Sequence, residues 1–119
     1  MNQISNSKQY DLEERTYKFA KRVNEYVNKL PKTISNIENG KQLVRSGGSV
    51  GANYIEANES LSKKDFRMRV KISKKETKES RYWLSLAQPF PQNQKEKEYL
   101  IQEATELMKI FGAILEKSK

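Results

Sequence analysis

The chain is expected to be all-α, an antiparallel up-and-down four-helix bundle, and three observations on its 119 residues lead there. Five glycines and three prolines are clustered, leaving long uninterrupted intervals. Within those intervals apolar residues return every three or four positions, the period of one helix face. Strand-like alternation, internal repeats and low-complexity segments are missing from the sequence. Four amphipathic helices with short connections bury their stripes against one another, which is the up-and-down arrangement. One bundle domain over residues 11–119, behind a polar and disordered tail at 1–10, accounts for the length. A domain of this size hides roughly two thirds of its unfolded surface and needs no staples.

The first helix is expected to start at Asp11, with Glu14 three positions on as an Asp form of the capping box. Leu12, Phe19, Val23, Tyr26 and Leu30 follow along one stripe, and Pro31 ends it. A second stretch runs from about 34 or 40 to 58 and carries Leu43, Val44, Val50, Ala52 and Ile55. Gly47, Gly48 and Gly51 sit inside it, and each costs a helix interior about 0.5 to 1 kcal/mol relative to alanine. Small residues let two helix backbones approach closely, so a tight crossing is preferred to a local break. The run Ser46-Gly47-Gly48-Ser49-Val50-Gly51-Ala52-Asn53 matches no nucleotide-binding loop pattern. The third helix is expected over about 62–88, closed by Pro89 and Pro91. The fourth, about 93–117, has Leu100, Ala104, Leu107, Phe111 and Ile114 at alternating steps of four and three, the cleanest seam in the chain.

Cysteine and histidine are both absent. That removes disulfides, thiolate and imidazole metal sites, cysteine nucleophiles and the commonest general base near neutral pH. No catalytic residue, metal site or cofactor is expected, and the chain reads as a non-enzyme. Asn53, Glu56, Glu76 and Glu79 are the candidates for a di-metal centre inside a bundle, but such centres use Glu-x-x-His pairs. They read instead as structural, Glu79 pairing with Lys75 one turn before it and Glu56 with Asn53 forming an interhelical contact that sets register. No segment approaches the roughly 18 consecutive apolar residues of a membrane span, and the first ten residues lack a signal-peptide core. A cytoplasmic protein that avoids membranes is expected.

With 23 Lys and Arg against 15 Asp and Glu the net charge is +8, which favours polyanions or acidic surfaces as partners. The third helix holds nine cations (Lys63, Lys64, Arg67, Arg69, Lys71, Lys74, Lys75, Lys78, Arg81) against Asp65, Glu76 and Glu79, and so carries +6 of that excess. Phe66, Val70, Ser73, Thr77, Ser80, Leu84 and Ala87 form its inward seam. Arg67, Lys71, Lys74, Lys78 and Arg81 follow one residue later, about 100° around the helix, as a stripe about 21 Å long. Lys63 and Lys64 extend it. Sequence-independent binding of RNA or DNA needs only clustered Lys and Arg, and no base-reading motif is present. A solvated face that keeps the protein soluble and a surface for an acidic protein are the alternatives. Tyr82, Trp83 and Tyr54 could stack on bases, although Trp83 beside Leu84 and Leu86 reads better as filling a core or subunit interface. Met68, Ile72 and Leu86 on the third helix, and Ile101, Met108 and Leu115 on the fourth, form second apolar lines that hint at self-association.

The runs QLVRSGGSVGANYIEA at 42–57, SKKDF at 62–66 and KETKESRYWL at 75–84 resemble the bacterial four-helix bundle proteins encoded in intervening sequences of large-subunit (23S) ribosomal RNA genes. The resemblance spans about residues 10–115. It implies an antiparallel bundle assembled into a ring, typically a homopentamer, with no enzyme activity and no catalytic residues to carry over. More distantly the chain is similar to the accessory variability protein of diversity-generating retroelements, a basic pentamer that works with a reverse transcriptase and nucleic acid. The motif positions Ser46, Ser49, Ala52, Asn53, Glu56, Phe66, Glu76, Glu79, Tyr82, Trp83 and Leu84 are present and read as structural. Departures fall at Ser60, where alanine is common, and at Lys74, Thr77 and Arg81, which make the third helix more basic than the family norm. The resulting expectation is a non-enzymatic, basic, homo-oligomeric bundle that contacts RNA or DNA through its third helix. The alternative is a scaffold that recruits an acidic partner such as a polymerase.

Overall fold

The computed structural model describes the backbone of residues 3–119 and the side chains of 11–119. Four helices, α1 (Gln3–Asn28), α2 (Ile34–Asn58), α3 (Lys63–Leu86) and α4 (Gln94–Lys117), follow in that order, with a 3-10 turn at Pro91–Asn93 before the last. Among the described residues there is no strand. α1 begins at Gln3, so Asp11, read from the sequence as its first residue, lies inside it, and the expected tail overlaps the helix from Gln3 onward. Residues 1 and 2 of that tail lie outside the described residues.

Hydroxyl caps start the middle helices. Thr33 accepts from the Asn36 N–H at 3.1 Å and Ser62 from the Asp65 N–H at 3.1 Å, each satisfying an orphan donor of the first turn. Neighbours in sequence are neighbours in space, and each pair runs antiparallel. Arg15 and Arg22 of α1 meet Glu103 and Glu96 of α4, so contacts ascend one helix as they descend the other. Ser46 and Asn53 of α2 meet Ser80 and Arg69 of α3 in the same inverted order. Arg67 and Arg81 meet Leu115 and Thr105.

The core follows the expected seams. Leu12, Phe19, Val23, Tyr26 and Leu30 of α1, Val70 and Leu84 of α3, and Leu100, Ala104, Leu107 and Phe111 of α4 are all buried, with Ala87 just beyond α3. Phe66 and Ile114 pack against them from the rim. Ser73, Thr77 and Ser80 occupy the α3 seam with no exposure, because their hydroxyls are used: Ser73 donates to the Val50 carbonyl at 2.9 Å, Thr77 to Ser73 at 2.7 Å, and Ser80 to Ser46 Oγ at 2.8 Å. Small hydroxyl side chains let α2 and α3 lie close.

The glycines divide by neighbour. A Cβ on Gly51 would stand 2.8 Å from Thr16 Oγ1, and one on Gly47 3.2 Å from Val23. These positions, with Gly40, admit α1 closely against α2, as the tight-crossing reading expected. Gly48 faces open space instead. α2 corrects one more expectation: Leu43 and Val50 are buried, but Val44, Ala52 and Ile55 are exposed, with Ile37 beside them. Asn36, which the sequence reading passed over, is buried and ties both loops at one end of the bundle, donating to the Pro31 and Gln88 carbonyls and accepting from the Gln88 N–H at 2.9–3.0 Å.

Candidate nucleic-acid interface

A helix packed between two neighbours has two flanks and one outward ridge, and the cations of α3 are shared among all three. The flank beside α4 takes Arg67, Lys74 and Arg81, seven residues apart. Arg67 is half-buried and its Nη1 donates to the Leu115 carbonyl and to Ser118 Oγ, closing the last turn of α4 where free carbonyls collect. Arg81 donates to Thr105 Oγ1 at 3.2 Å, and Lys74 Nζ lies over Gly112. Lys63 reaches the Lys119 carbonyl at 2.9 Å. Of the five cations read as one solvent stripe, Arg67 and Arg81 are therefore bonded within the bundle and Lys74 is half-buried against α4, and only Lys71 and Lys78 are exposed.

The opposite flank forms a polar network with α2. Arg45 pairs with both Glu76, at 3.4 Å, and Glu79, and Glu79 also accepts from the Trp83 indole N–H at 3.1 Å. Arg69 donates to Asn53 Oδ1 at 3.1 Å. These contacts replace two expected ones: Glu79 is taken by Arg45 rather than Lys75, and Asn53 sets register through Arg69 while Glu56 points to solvent. The motif residues otherwise serve structure, Ser46 buried against Ser80, Ser49 bonded to its own helix at Arg45, Phe66 and Trp83 packed on the core, and Ala52 exposed. Of the second apolar lines, Ile101 and Leu115 pack against the core, whereas Met68 and Leu86 stay exposed.

The outward ridge carries Lys64, Met68, Lys71, Lys75, Lys78, Tyr82 and Leu86, all exposed. Among the described residues none of its four lysines forms an ion pair or hydrogen bond. Glu76 and Glu79 of the same helix are taken by Arg45, and Asp65 stands exposed and, among the described residues, unpaired beside Lys64. Glu103 grips Arg15 through two bonds of 2.7 and 2.9 Å and Glu96 grips Arg22 through two of 3.0 and 2.6 Å, hydrogen bonds that raise both guanidinium pKa values further above the ordinary arginine range. From Lys64 to Lys78 the row runs about 21 Å along the helix. At its start a shallow cleft of about 480 Å³ opens between Lys63, Lys64, Asp65, Arg67, Met68 and Lys71. The N-terminus of α3 adds its partial positive charge there. The sequence reading left Lys75 out of the stripe, although it is exposed on this ridge. The available signal was angular: at about 100° per residue Lys75 falls about 180° around the helix from Phe66, and Lys71 and Lys78 about 120° to 140°, whereas Arg67, Lys74 and Arg81 fall within about 100° of it.

A larger hollow of about 560 Å³ lies at the bundle end among Leu12, Tyr54, Phe66 and Ile114. Of its polar lining, Arg15 is engaged by Glu103 and Asn58 by Glu13. Among the described residues no three His, Cys, Asp or Glu side chains are grouped to hold a metal ion. No described helix is long and apolar enough to cross a membrane.

The family described as "23S rRNA-intervening sequence protein" matches residues 8–113. A solved structure from Bacteroides thetaiotaomicron, described as a protein with unknown function from the S23 ribosomal protein family, superposes with a TM-score of 0.76 at 27% identity, covering 92% of this chain and 98% of that one. Curated protein sequences provide no match.

Proposed function

Since the chain belongs to the 23S rRNA-intervening sequence protein family, whose name assigns no chemistry, we propose from its surface that it is a non-enzymatic cytoplasmic protein that binds RNA or DNA through the outward ridge of α3. The observation that carries this reading is the row of four exposed, unpaired lysines, Lys64, Lys71, Lys75 and Lys78, on one helix of a basic chain. Lysines that merely solubilise a surface are commonly interspersed with acids; here the seven ridge positions carry none, and Asp65 at the start of the row is the one exposed acid of α3 beside them. Phosphates of a nucleic-acid backbone supply the complementary charge, and displaced counterions supply the free energy.

Fluorescence anisotropy of a labelled oligonucleotide across a salt series tests it. If all four lysines engage phosphates, log affinity should fall against log salt with a slope of about −3.6 on a duplex or about −2.8 on a single strand. Affinity that ignores salt overturns the proposal. The protein-scaffold reading predicts instead an acidic protein partner retained after nuclease treatment.

Homo-oligomeric assembly belongs to the same proposal, supported by a different face. Ile37, Val44 and Ile55 stand exposed along α2 with Gly48 open between them, an apolar strip that no described part of the chain covers. Light scattering gives the subunit number, and a ring of five repeats the lysine row five times.

A further inference from the structure

Tyr82 follows Lys64 by eighteen residues, five full helical turns, so both stand at the same azimuth on the lysine ridge. Its side chain is 58% exposed. The ring is nonetheless held in place: its centroid lies 4.9 Å from that of Trp83 at an interplanar angle of 71°, an edge-to-face contact. Trp83 is anchored in turn by packing on the core and by its indole bond to Glu79, which Arg45 also grips. An edge-to-face contact covers at most one face of Tyr82, leaving the other open beside Lys78, one turn away. Tyr99, also half-exposed, differs in that the Arg22 guanidinium sits 3.8 Å from its centroid. Met68 and Leu86 place two more apolar groups among the lysines, 48% and 43% exposed.

Phosphate contact alone leaves these apolar groups unused. A duplex turns phosphate and sugar outward and keeps base faces stacked inside, so a ring on a convex ridge meets little of it. A single strand exposes its base faces, and these stack on aromatic rings whatever the sequence. We propose that the ligand of the α3 ridge is a single-stranded nucleic acid, its phosphates following Lys64, Lys71, Lys75 and Lys78 and one base stacking on Tyr82. The inference rests on the nucleic-acid reading above and names the form of the ligand.

The test titrates the full chain with labelled oligouridine, oligothymidine and a hairpin duplex of matched length, each at several salt concentrations, beside Tyr82→Ala and Tyr82→Phe. The expected result is tighter binding of the single strands than of the hairpin. Tyr82→Ala should weaken single-strand binding at least about five-fold with an unchanged salt slope, because stacking carries no charge, and Tyr82→Phe should bind like the parent. Whichever single strand binds more tightly assigns the ridge to RNA or to DNA. Hairpin binding as tight as single-strand binding, or a Tyr82→Ala variant indistinguishable from the parent, overturns the inference while leaving the phosphate reading intact. Failure of every probe to bind at low salt overturns both.

Discussion

Removing Arg67 and Arg81 should damage the bundle and spare the ligand, while removing Lys71, Lys75 and Lys78 should do the reverse. Arg67→Ala deletes two bonds that close the C-terminal turn of α4, to the Leu115 carbonyl and Ser118 Oγ, and Arg81→Ala deletes one to Thr105. Net contributions of about 0.5 to 1 kcal/mol for each bond, at partly solvated sites, put the double variant about 2 kcal/mol below the parent. For a chain of this length that lowers Tm by roughly 8 °C. The salt slope of nucleic-acid binding should stay at the parental value. The triple variant Lys71→Gln, Lys75→Gln and Lys78→Gln removes no bond of the described bundle and should melt within a degree or two of the parent. Its slope on a single strand should fall from about −2.8 to about −0.7, and its affinity near physiological salt by nearly two orders of magnitude. Thermal melts by circular dichroism and anisotropy titrations read both quantities on the same samples. A double variant that loses about 1.4 units of single-strand slope at unchanged Tm would refute the partition and make the α4 flank the interface.

Two further substitutions probe the packing. Gly51→Ala and Gly48→Ala, three residues apart on one helix, should move urea midpoints in opposite directions: Gly51→Ala is net destabilising by about 1 kcal/mol, because its methyl meets the buried Thr16, and Gly48→Ala is stabilising by about 0.5 to 1 kcal/mol, because its methyl meets nothing. A destabilised Gly48→Ala would instead place a second copy tightly over this face, the strip proposed above for assembly. Tyr26 is buried, its hydroxyl has no hydrogen-bond partner among the described residues, and burial pushes its pKa up to about 12 from 10.0. The folded state thus favours the neutral phenol, so its stabilising effect is complete below pH 10 and is lost as the pH rises towards 12. Tyr26→Phe should flatten that decline and cost nothing at neutral pH, as checked by urea melts at pH 7, 10 and 11.5.

Much of the fold was legible because its signal is local. The seam from Val70 to Ala87 and the run from Leu100 to Phe111 bury as their spacing requires, since helix period and core position are the same information. Pro31 and the Pro89–Pro91 pair likewise mark connections by chain chemistry alone. The second helix was harder: Val44, Ala52 and Ile55 are apolar yet exposed, while Ser46 and Gly47 are buried, because close approach of α1 and α3 selects for small size over hydrophobicity. Asn36 gave no sequence signal, since its three partners come from two loops far apart in the chain.

The sequence by itself determined four helices, their boundaries to within a few residues after α1, the absence of cysteine and histidine chemistry, and a charge excess lodged in the third helix. Only the tertiary structure decided which of those charges are available. Arg67, Lys74 and Arg81 sit where α4 approaches, and Lys64, Lys71, Lys75 and Lys78 sit where nothing does. Charge is a property of a residue, but its freedom to meet a phosphate depends on what the opposite helix leaves uncovered, and that is fixed by how the helices dock.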